Sequence, residues 1–357
     1  MTDEKNTNKE RNFKQQFKEL MQNTVIAPND DYKTKMQPIK ELIKENTPAS
    51  LFRFRAVNEF SLDAFRKDDI YHSEPKNFND PHDCLVYFDK PLLDKIRELY
   101  LKPQNVETLL KQFSNLGQIS GVSKEYLLDI QKVVKNLSIT GEDWDNILKL
   151  ALNNLPDIDK EITKSAENIE ENMYNHYKTY PKIACFSENI ESTLMWSHYA
   201  DSHKGFALEY DFTKEQKCLV CTNPCEDFVY ISLYPVIYTN TRYNATDLAA
   251  SLQLNQYLRN FGIPIHTIPD ELAYTKTNIY KGEDWKYEKE WRTFLIYDRK
   301  TERKAIKIKP KAVYLGVNIS EIYQDILVGY AKAYGIETYK MKVDIYSDEF
   351  KLIYESV

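Results

Sequence analysis

The sequence predicts an α+β fold, built on a broken, mostly antiparallel sheet with helical insertions. Two patterns predict it. Short segments in which apolar and polar residues alternate recur along the chain, and longer stretches between them repeat apolar residues every three or four positions. The composition agrees, because 42% hydrophobic and 29% charged residues are ordinary for a globular protein with a core. A chain of 357 residues is long enough for two average domains, or for one domain with large insertions.

We expect an N-terminal helical extension over residues 1–46, followed by a single α+β domain over 47–357. The first strand of that domain is predicted at 51–55, where apolar and charged positions alternate. The alternation gives this strand one apolar face and one face that carries Arg53 and Arg55.

The pattern becomes helical over about 89–180 and again over 245–281, which predicts two helical insertions in the domain. Alternation returns between and after them and predicts further strands. These strands lie at 183–186, 206–212, 234–238, 293–297, 312–315, 337–345 and 350–354, and a helix is predicted at 319–334.

Charge and hydropathy exclude several functions. The formal net charge of −6 argues against binding of bulk nucleic acid, because phosphate contacts need clustered Lys and Arg. No apolar stretch approaches the roughly twenty residues that span a bilayer, so we expect no membrane segment. The first thirty residues contain no apolar secretory signal, and five cysteines do not suggest a disulfide framework. Together these features predict a cytoplasmic protein.

The segment 78–83, FNDPHD, is the first candidate for chemistry. Asn and Asp ahead of Pro form turns, because their side chains bond to the nearby backbone and Pro fixes φ. Two interpretations stay open. The segment is a structural turn, or it points Asn79, Asp80 or His82 into a cleft.

The second candidate segment lies within 185–211 and starts with Cys-Phe-Ser. Its middle part, STLMWSHYADSHKG, predicts a helix of about three turns that ends at a glycine. Trp196, Tyr199 and His203 fall on one face of that helix. A histidine beside Trp and Tyr is commonly a packing residue, and a catalytic role is the alternative.

The third candidate segment is 281–292, KGEDWKYEKEWR. If 286–297 form a strand, Glu288, Glu290 and Arg292 share one face. Two such carboxylates, if buried, would raise the pKa of one of them and pair with the arginine. The alternative is a salt-bridged edge strand. Three of the four tryptophans lie in the second and third segments, which favours one aromatic-lined site, although core packing would also place them there.

Familiar catalytic motifs are absent: the sequence has no Walker motif, GxGxxG, GxSxG or HExxH. The three cysteines Cys218, Cys221 and Cys225 have a spacing that suits zinc. Since no second Cys pair or His pair supplies the remaining ligand, we expect no metal in the site.

The combined motifs resemble a bacterial domain family of unknown function, over roughly residues 50–297. The resemblance rests on five short stretches, which are Phe54-Arg55, FNDP at 78–81, CFS at 185–187, MWxHYAxxHxG at 195–205 and KxxxWxYExEWR at 281–292. This family carries no established activity.

The order of the elements also resembles the ADP-ribosyltransferase fold, which implies a split sheet and NAD as the substrate. In that likeness Glu290 is the critical carboxylate and Glu288 precedes it. A carboxylate beside the ribose stabilises the oxocarbenium-like state that forms when the nicotinamide bond breaks. The Ser-Thr-Ser motif usual in that fold is absent here.

The same likeness implies a substrate-binding set. Arginine suits a pyrophosphate, and an aromatic ring stacks on a planar group. Together with candidates from the segments above, the predicted substrate-binding residues are Arg53, Arg55, Asn79, Asp80, Ser187, Trp196, Tyr199 and Arg292.

The first functional hypothesis is therefore an ADP-ribosyltransferase-like enzyme in bacterial stress or phage defence, with a nucleotide as substrate and an open choice of acceptor. The first alternative is a non-catalytic module that recognises a nucleotide or a protein. The second is a hydrolase or nuclease in which His203 works with Glu209, Asp211 or Asp80.

Overall fold

The fold is known from a computed structural model, which describes residues 2–27, 30–101, 158–213, 233–260, 270–295 and 305–357. It confirms the α+β class, because helices accompany an open, mostly antiparallel sheet. The predicted likeness to a split ADP-ribosyltransferase sheet stays a prediction, as does the division at residue 47.

Twelve strands lie in the described part of the chain. They are β1 Leu51–Arg55, β2 Asp69–Tyr71, β3 Lys182–Ser187, β4 Phe206–Tyr210, β5 Leu233–Pro235, β6 Ile237–Thr239, β7 Tyr280–Gly282, β8 Glu290–Leu295, β9 Ala305–Lys307, β10 Ala312–Leu315, β11 Glu337–Val343 and β12 Leu352–Ser356. Eight of them form one sheet in the order β12-β11-β10-β4-β1-β3-β8-β5, in which β10 and β11 run parallel and the other neighbours antiparallel. Two short pairs, β2 with β9 and β6 with β7, lie beside this sheet.

Nine α-helices are described. They are α1 Thr2–Asn23, α2 Tyr32–Asn46, α3 Glu59–Arg66, α4 Lys90–Leu101, α5 Ile158–Thr179, α6 Thr193–Tyr199, α7 Thr246–Asn260, α8 Ala273–Ile279 and α9 Glu321–Tyr334, with 3-10 helices at Pro75–Asn77 and Glu283–Glu288. Their ends follow from local sequence. Asn58 and Ser61 form a capping box at the start of α3, and Gly335 ends α9 in the left-handed conformation that glycine adopts without steric cost.

The two faces of the large sheet have different partners. The core face carries Leu51, Phe186 and Trp291 and packs into the main hydrophobic cluster, which includes buried residues of α1 and α2. The ring of Phe13 in α1 stacks on Trp291, with 5.9 Å between ring centroids. The opposite face, here called the site face, carries a smaller cluster that includes Phe52. The predicted N-terminal helices therefore form part of the main core.

Within the predicted helical insertions, the structure describes α4 and α5 in the first and α7 and α8 in the second, which ends in strand β7. In the first, α4 and α5 contact α7, which belongs to the second, and their apolar residues share one cluster. The rest of the first insertion lies outside the described residues, and so does the cysteine cluster 218–225. Among the helices described, none is both long and apolar enough to cross a membrane.

The two arginines of β1 share one face of the strand, as the alternation predicts, and this face is the core face of the sheet. Arg53 is opposite Leu208 in β4, and Arg55 is opposite Phe206, both of which belong to the main cluster. The Arg53 guanidinium lies 5.9 Å from the centre of the Phe186 ring and donates to the backbone oxygen of Tyr71 at 2.5 Å. A planar guanidinium can stack on a ring while its N–H groups reach a carbonyl. Arg53 can therefore lie on a face of the sheet that packs on the core.

Gly316, after β10, lies against the turn that follows α6. A Cβ atom at this position would lie 2.2 Å from the backbone oxygen of His203. We expect Gly316→Ala to lower the free energy of unfolding by about 1–3 kcal/mol, because the backbone must shift to relieve the overlap. Chemical denaturation measures this change. The matched control is Gly329→Ala in α9, where a Cβ meets no atom within 4 Å. Because alanine favours a helix, this change should raise the free energy of unfolding by about 0.5–1 kcal/mol. Equal effects of the two changes would contradict the packing described.

Candidate functional site

Five buried charged side chains meet at the edge of the site face, and we call them the ion cluster. They are Asp83, Lys281, Glu288, Glu290 and Arg292. Each is 6% exposed or less, so their charges persist only because each has an opposite charge within reach. The first and third candidate segments therefore meet here.

Arg292 lies at the centre of the cluster. Its Nε and Nη2 donate to the two oxygens of Glu290 at 2.8 and 3.0 Å, and Nη2 also donates to Asp83 at 2.7 Å. Nη1 donates to the backbone oxygen of Asn278 at 2.8 Å. The Phe78 ring lies 6.0 Å from the guanidinium carbon. A fully buried arginine is thus bonded on all of its nitrogens, and it links the FNDP segment, the end of α8 and β8.

Lys281 joins the remaining carboxylate to this group. It lies in β7 opposite Tyr238 in β6, and its Nζ donates to Glu288 and, at 3.0 Å, to Glu290. Asp83 lies 3.5 Å away. The Trp285 ring centroid is 5.0 Å from Nζ, which adds a cation–π contact.

The segment before β8 differs from the predicted strand at 286–297. Residues Glu283–Glu288 form a 3-10 helix, Lys289 has φ 44°, and the strand begins only at Glu290. A left-handed residue reverses the chain direction sharply. Glu288 and Glu290 are consequently not neighbours on one strand face, yet both reach Lys281.

Tyr199, from α6, connects the ion cluster to the surface. Its hydroxyl donates to Glu288 Oε1 at 2.5 Å and lies 3.3 Å from Oδ1 of Asn79, an exposed residue. Tyr199 itself is half-buried. The second candidate segment therefore joins the other two, and a proton on a group bound outside can reach Glu288 through this hydroxyl.

Four rings lie side by side at this point of the surface, and we call them the aromatic rim: His198, Tyr199, Trp285 and Tyr287. Their neighbouring centroids are 6.1 to 6.4 Å apart, and each ring is half-buried or exposed. Rings that are at least partly exposed offer faces on which a planar ligand can stack. The rim includes Tyr199, whose hydroxyl bonds to the Glu288 carboxylate of the ion cluster.

The two glutamates of the cluster differ in acidity. Burial, together with the negative charge of Glu290, raises the pKa of Glu288 to about 7 against the opposing effect of Lys281. Burial acts on Glu290 in the same direction, but Arg292 and Lys281 outweigh it and hold its pKa well below the usual range. Burial also raises the pKa of Tyr199 well above its usual value. Near neutral pH, Glu290 is a fixed charge, whereas Glu288 can gain or lose a proton.

Several predicted site residues have structural partners instead. Ser187 is fully buried and donates to the backbone oxygen of Glu288 at 2.6 Å. Asp80 is buried and accepts a hydrogen bond from the backbone N–H of His82 at 2.8 Å. This bond is the one expected if the FNDP segment is a structural turn. Trp196 is fully buried and donates to the Ile190 backbone at 2.7 Å, so its ring is not available to a ligand here.

Arg53, Arg55 and His203 lie apart from the ion cluster. Cross-strand pairs place Ser187 and Glu290 on the site face, whereas Arg53 and Arg55 project from the other side of the sheet. The side-chain partner of His203 is Ser197, at 3.2 Å.

The carboxylates proposed to work with His203 have partners of their own. Glu209 bonds to Lys311 and Tyr314, and Asp211 bonds to Thr213. Asp80 accepts from the His82 backbone. In the described chain, no group of three or more His, Cys, Asp or Glu side chains is placed to hold a metal ion.

Sequence reasoning omitted Asp83 and Lys281 from the site, although both lie in the candidate segments. Asp83 ends the FNDPHD segment, and Lys281 is the first residue of KxxxWxYExEWR. A lysine seven residues before a glutamate lies two turns away from it on a helix and on the opposite face of a strand, so neither periodicity predicts a contact. The tight turn at Lys289 leaves both Glu288 and Glu290 within reach of Lys281. It contains no glycine that would mark the turn in the sequence.

The comparison with protein families bears on part of the second candidate segment and on the whole of the third. The model of a family described as a protein of unknown function (DUF2971) matches residues 195–293. The resemblance to a domain family of unknown function is thereby confirmed. The match contains most of α6 and most of β8, including Tyr199 and four of the five residues of the ion cluster. No curated protein and no solved structure matches the chain.

The Arg292 side chain can be tested by stability. We expect Arg292→Met to lower the free energy of unfolding by about 3–5 kcal/mol, because Glu290 and Asp83 then keep buried charges without their main partner. Urea denaturation measures the loss. Arg66→Met is the control, since Arg66 pairs with Asp63 at the surface and its loss should cost less than about 1 kcal/mol. A loss as small for Arg292→Met would show that the ion cluster is not a structural requirement.

The raised pKa of Glu288 predicts a dependence of stability on pH. Between its usual pKa of 4.5 and about 7, the folded protein holds a proton that the unfolded chain releases, so stability falls as pH rises through that window. Glu288→Gln should remove this fall, which amounts to up to about 3 kcal/mol. The measurement is the free energy of unfolding of both proteins at several pH values. Glu209→Gln is the control, because hydrogen bonds to Lys311, Ser50 and Tyr314 lower the Glu209 pKa against the effect of burial. Glu209→Gln should therefore still lose stability as the pH rises from 4.5 to about 7.

Proposed function

We propose that this protein is an enzyme that breaks the bond between a planar base and ribose in a nucleotide, with NAD as the substrate and an ADP-ribosyl group as the part transferred. The observation that carries the proposal is the contact between Tyr199, at the surface, and Glu288, whose pKa is raised to about 7 by burial. A carboxyl group with a pKa near neutrality, reached through a hydroxyl in an aromatic rim, is the arrangement that acid–base catalysis requires.

The charge balance of the ion cluster suits this chemistry. Its three carboxylates outnumber its two cations by one when all are ionised. Departure of the base leaves a positive charge that spreads over the ribose ring, and an excess of buried negative charge nearby stabilises it. When the acceptor attacks the ribose carbon, its proton can pass to the Tyr199 oxygen while the Tyr199 proton passes to Glu288.

The roles differ from those implied by the family likeness. Glu290 bonds to Arg292 through both oxygens, which makes it a positioning residue for Lys281 and Glu288. Arg53 and Arg55 do not fit a pyrophosphate site next to Glu288, because they project from the other face of the sheet. The planar ring fits better, since the aromatic rim lies beside Tyr199.

A non-catalytic recognition module is the second candidate. It is favoured by the completeness of the ion cluster, in which Glu290 and Arg292 satisfy each other without any ligand. In that case the cluster serves only to hold Tyr199 and the rings in place, and the rim binds a nucleotide that stays intact.

Release of nicotinamide from NAD by the purified full chain, with and without cell lysate, tests the proposal. We expect release by the wild type and a loss of at least about a hundredfold in Tyr199→Phe and Glu288→Gln. Label on the adenosine part of NAD would then identify the acceptor in the lysate.

The chain offers a matched pair of controls in Tyr314→Phe and Glu209→Gln. Tyr314 donates to the buried Glu209 at 2.8 Å, as Tyr199 does to Glu288, but at a distance along the sheet on β10 and β4. Both controls should keep wild-type activity. Absence of release by the wild type, together with NAD-dependent quenching of the Trp285 fluorescence, would favour the recognition module. Equal release by all variants would overturn the assignment to Tyr199 and Glu288.

A further inference from the structure

Ser197 and His203 form a second pair of polar side chains beside α6. Ser197 Oγ and His203 Nε2 are 3.2 Å apart, and both residues are half-buried, so reagents can reach them. Residues two positions apart project from a helix about 200° apart. Ser197 and Tyr199 therefore lie on opposite sides of α6, and this pair is separate from the site proposed above.

The turn that carries His203 is held in an uncommon conformation. The predicted three-turn helix ends at Tyr199, and Asp201, Ser202 and His203 follow with φ of 47°, 53° and 66°. Left-handed conformations cost about 1–2 kcal/mol for each non-glycine residue. Such strain persists only where the surrounding structure enforces it, and it clusters at functional positions.

The surroundings of the turn enforce it from both sides. The backbone N–H of His203 donates to the oxygen of Trp196 at 3.2 Å, and its carbonyl accepts from Asn318 at 2.9 Å. The imidazole is stacked on the Trp196 indole, with 6.5 Å between centroids and 14° between planes. The histidine ring is thus fixed against Ser197 by contacts with a fully buried side chain.

The histidine is in the correct state to act as a base. Burial lowers the pKa of His203 below its usual value, so the ring is neutral near pH 7. With the proton on Nδ1, the lone pair of Nε2 points to the serine hydroxyl. A serine becomes nucleophilic when an adjacent base within about 2.6–3.2 Å takes its proton.

We propose that Ser197 and His203 form a second reactive site, in which Ser197 is a nucleophile towards carboxylic esters and His203 is its base. Ser197 Oγ forms a bond to the ester carbonyl carbon while its proton passes to His203 Nε2. The bond to the leaving alkoxide then breaks, and that oxygen takes the proton from His203. Water hydrolyses the resulting acyl-serine with His203 again as the base.

A fluorophosphonate reporter tests the proposal on the full chain, because its phosphorus centre mimics the tetrahedral state of acyl transfer. The serine oxygen binds phosphorus, fluoride leaves, and the proton passes to the base. We expect peptide mapping to locate the label on Ser197, and Ser197→Ala to abolish it. His203→Asn should slow labelling at least about tenfold, since general-base catalysis is lost while asparagine tolerates the left-handed conformation. Ser50→Ala is the control, because Ser50 is a half-buried serine that donates to Glu209 instead of a histidine.

Each outcome decides for or against the proposal. Label on Ser197 that depends on His203 supports it. Three outcomes would overturn it and leave the pair a packing contact. They are label on another residue of the wild type, no label at all, and label on Ser197 at an unchanged rate in His203→Asn. The wild-type peptide map does not depend on any variant, so a failure of His203→Asn to fold does not weaken the test.

Discussion

Arg292 is the side chain on which the arrangement of the site depends. It lies in β8 but bonds to Asp83 after the FNDP turn, to the backbone at the end of α8 and to Glu290 on its own strand. A buried guanidinium is tolerated only when all of these partners are in place. Because the partners come from segments far apart in the chain, the requirement to neutralise one charge draws those segments together. Lys281 then completes the cluster and pairs with Glu288.

Two glutamates two residues apart consequently have different roles. Glu290 faces a bidentate arginine, which keeps it ionised, whereas Glu288 faces a lysine and a tyrosine hydroxyl and keeps a proton to higher pH. Environments that push the pKa values of neighbouring acids apart commonly separate an acid–base group from a fixed charge. The turn at Lys289 produces this difference, since on a continuous strand both side chains would have met similar surroundings.

Much of the fold could be predicted because it follows from periodicity. Alternation located β1, β3, β4, β10 and β11, and the three candidate segments do meet in space. Two kinds of feature could not be predicted. The left-handed residues at 201–203 and 289 are not glycines, so nothing in the sequence marks the ends of α6 and of the 3-10 helix. The packing of the Arg53 face on the core could not be predicted either, because the Phe186 ring that lies under the guanidinium comes from a distant segment.

These features explain the roles of four residues of the segment YEKEWR. Glu290 and Arg292 project to the site face and hold each other, whereas Trp291, between them, enters the main core, where it stacks on Phe13 and donates to Glu188 at 2.6 Å. Those three residues therefore secure the strand from both sides of the sheet. Glu288 is the member of the segment whose carboxyl both titrates near neutrality and bonds to a hydroxyl at the surface. In the proposed reaction, the residues that hold the site and the residue that transfers the proton are therefore adjacent in sequence. The acid–base group is Glu288, the first glutamate, and not Glu290.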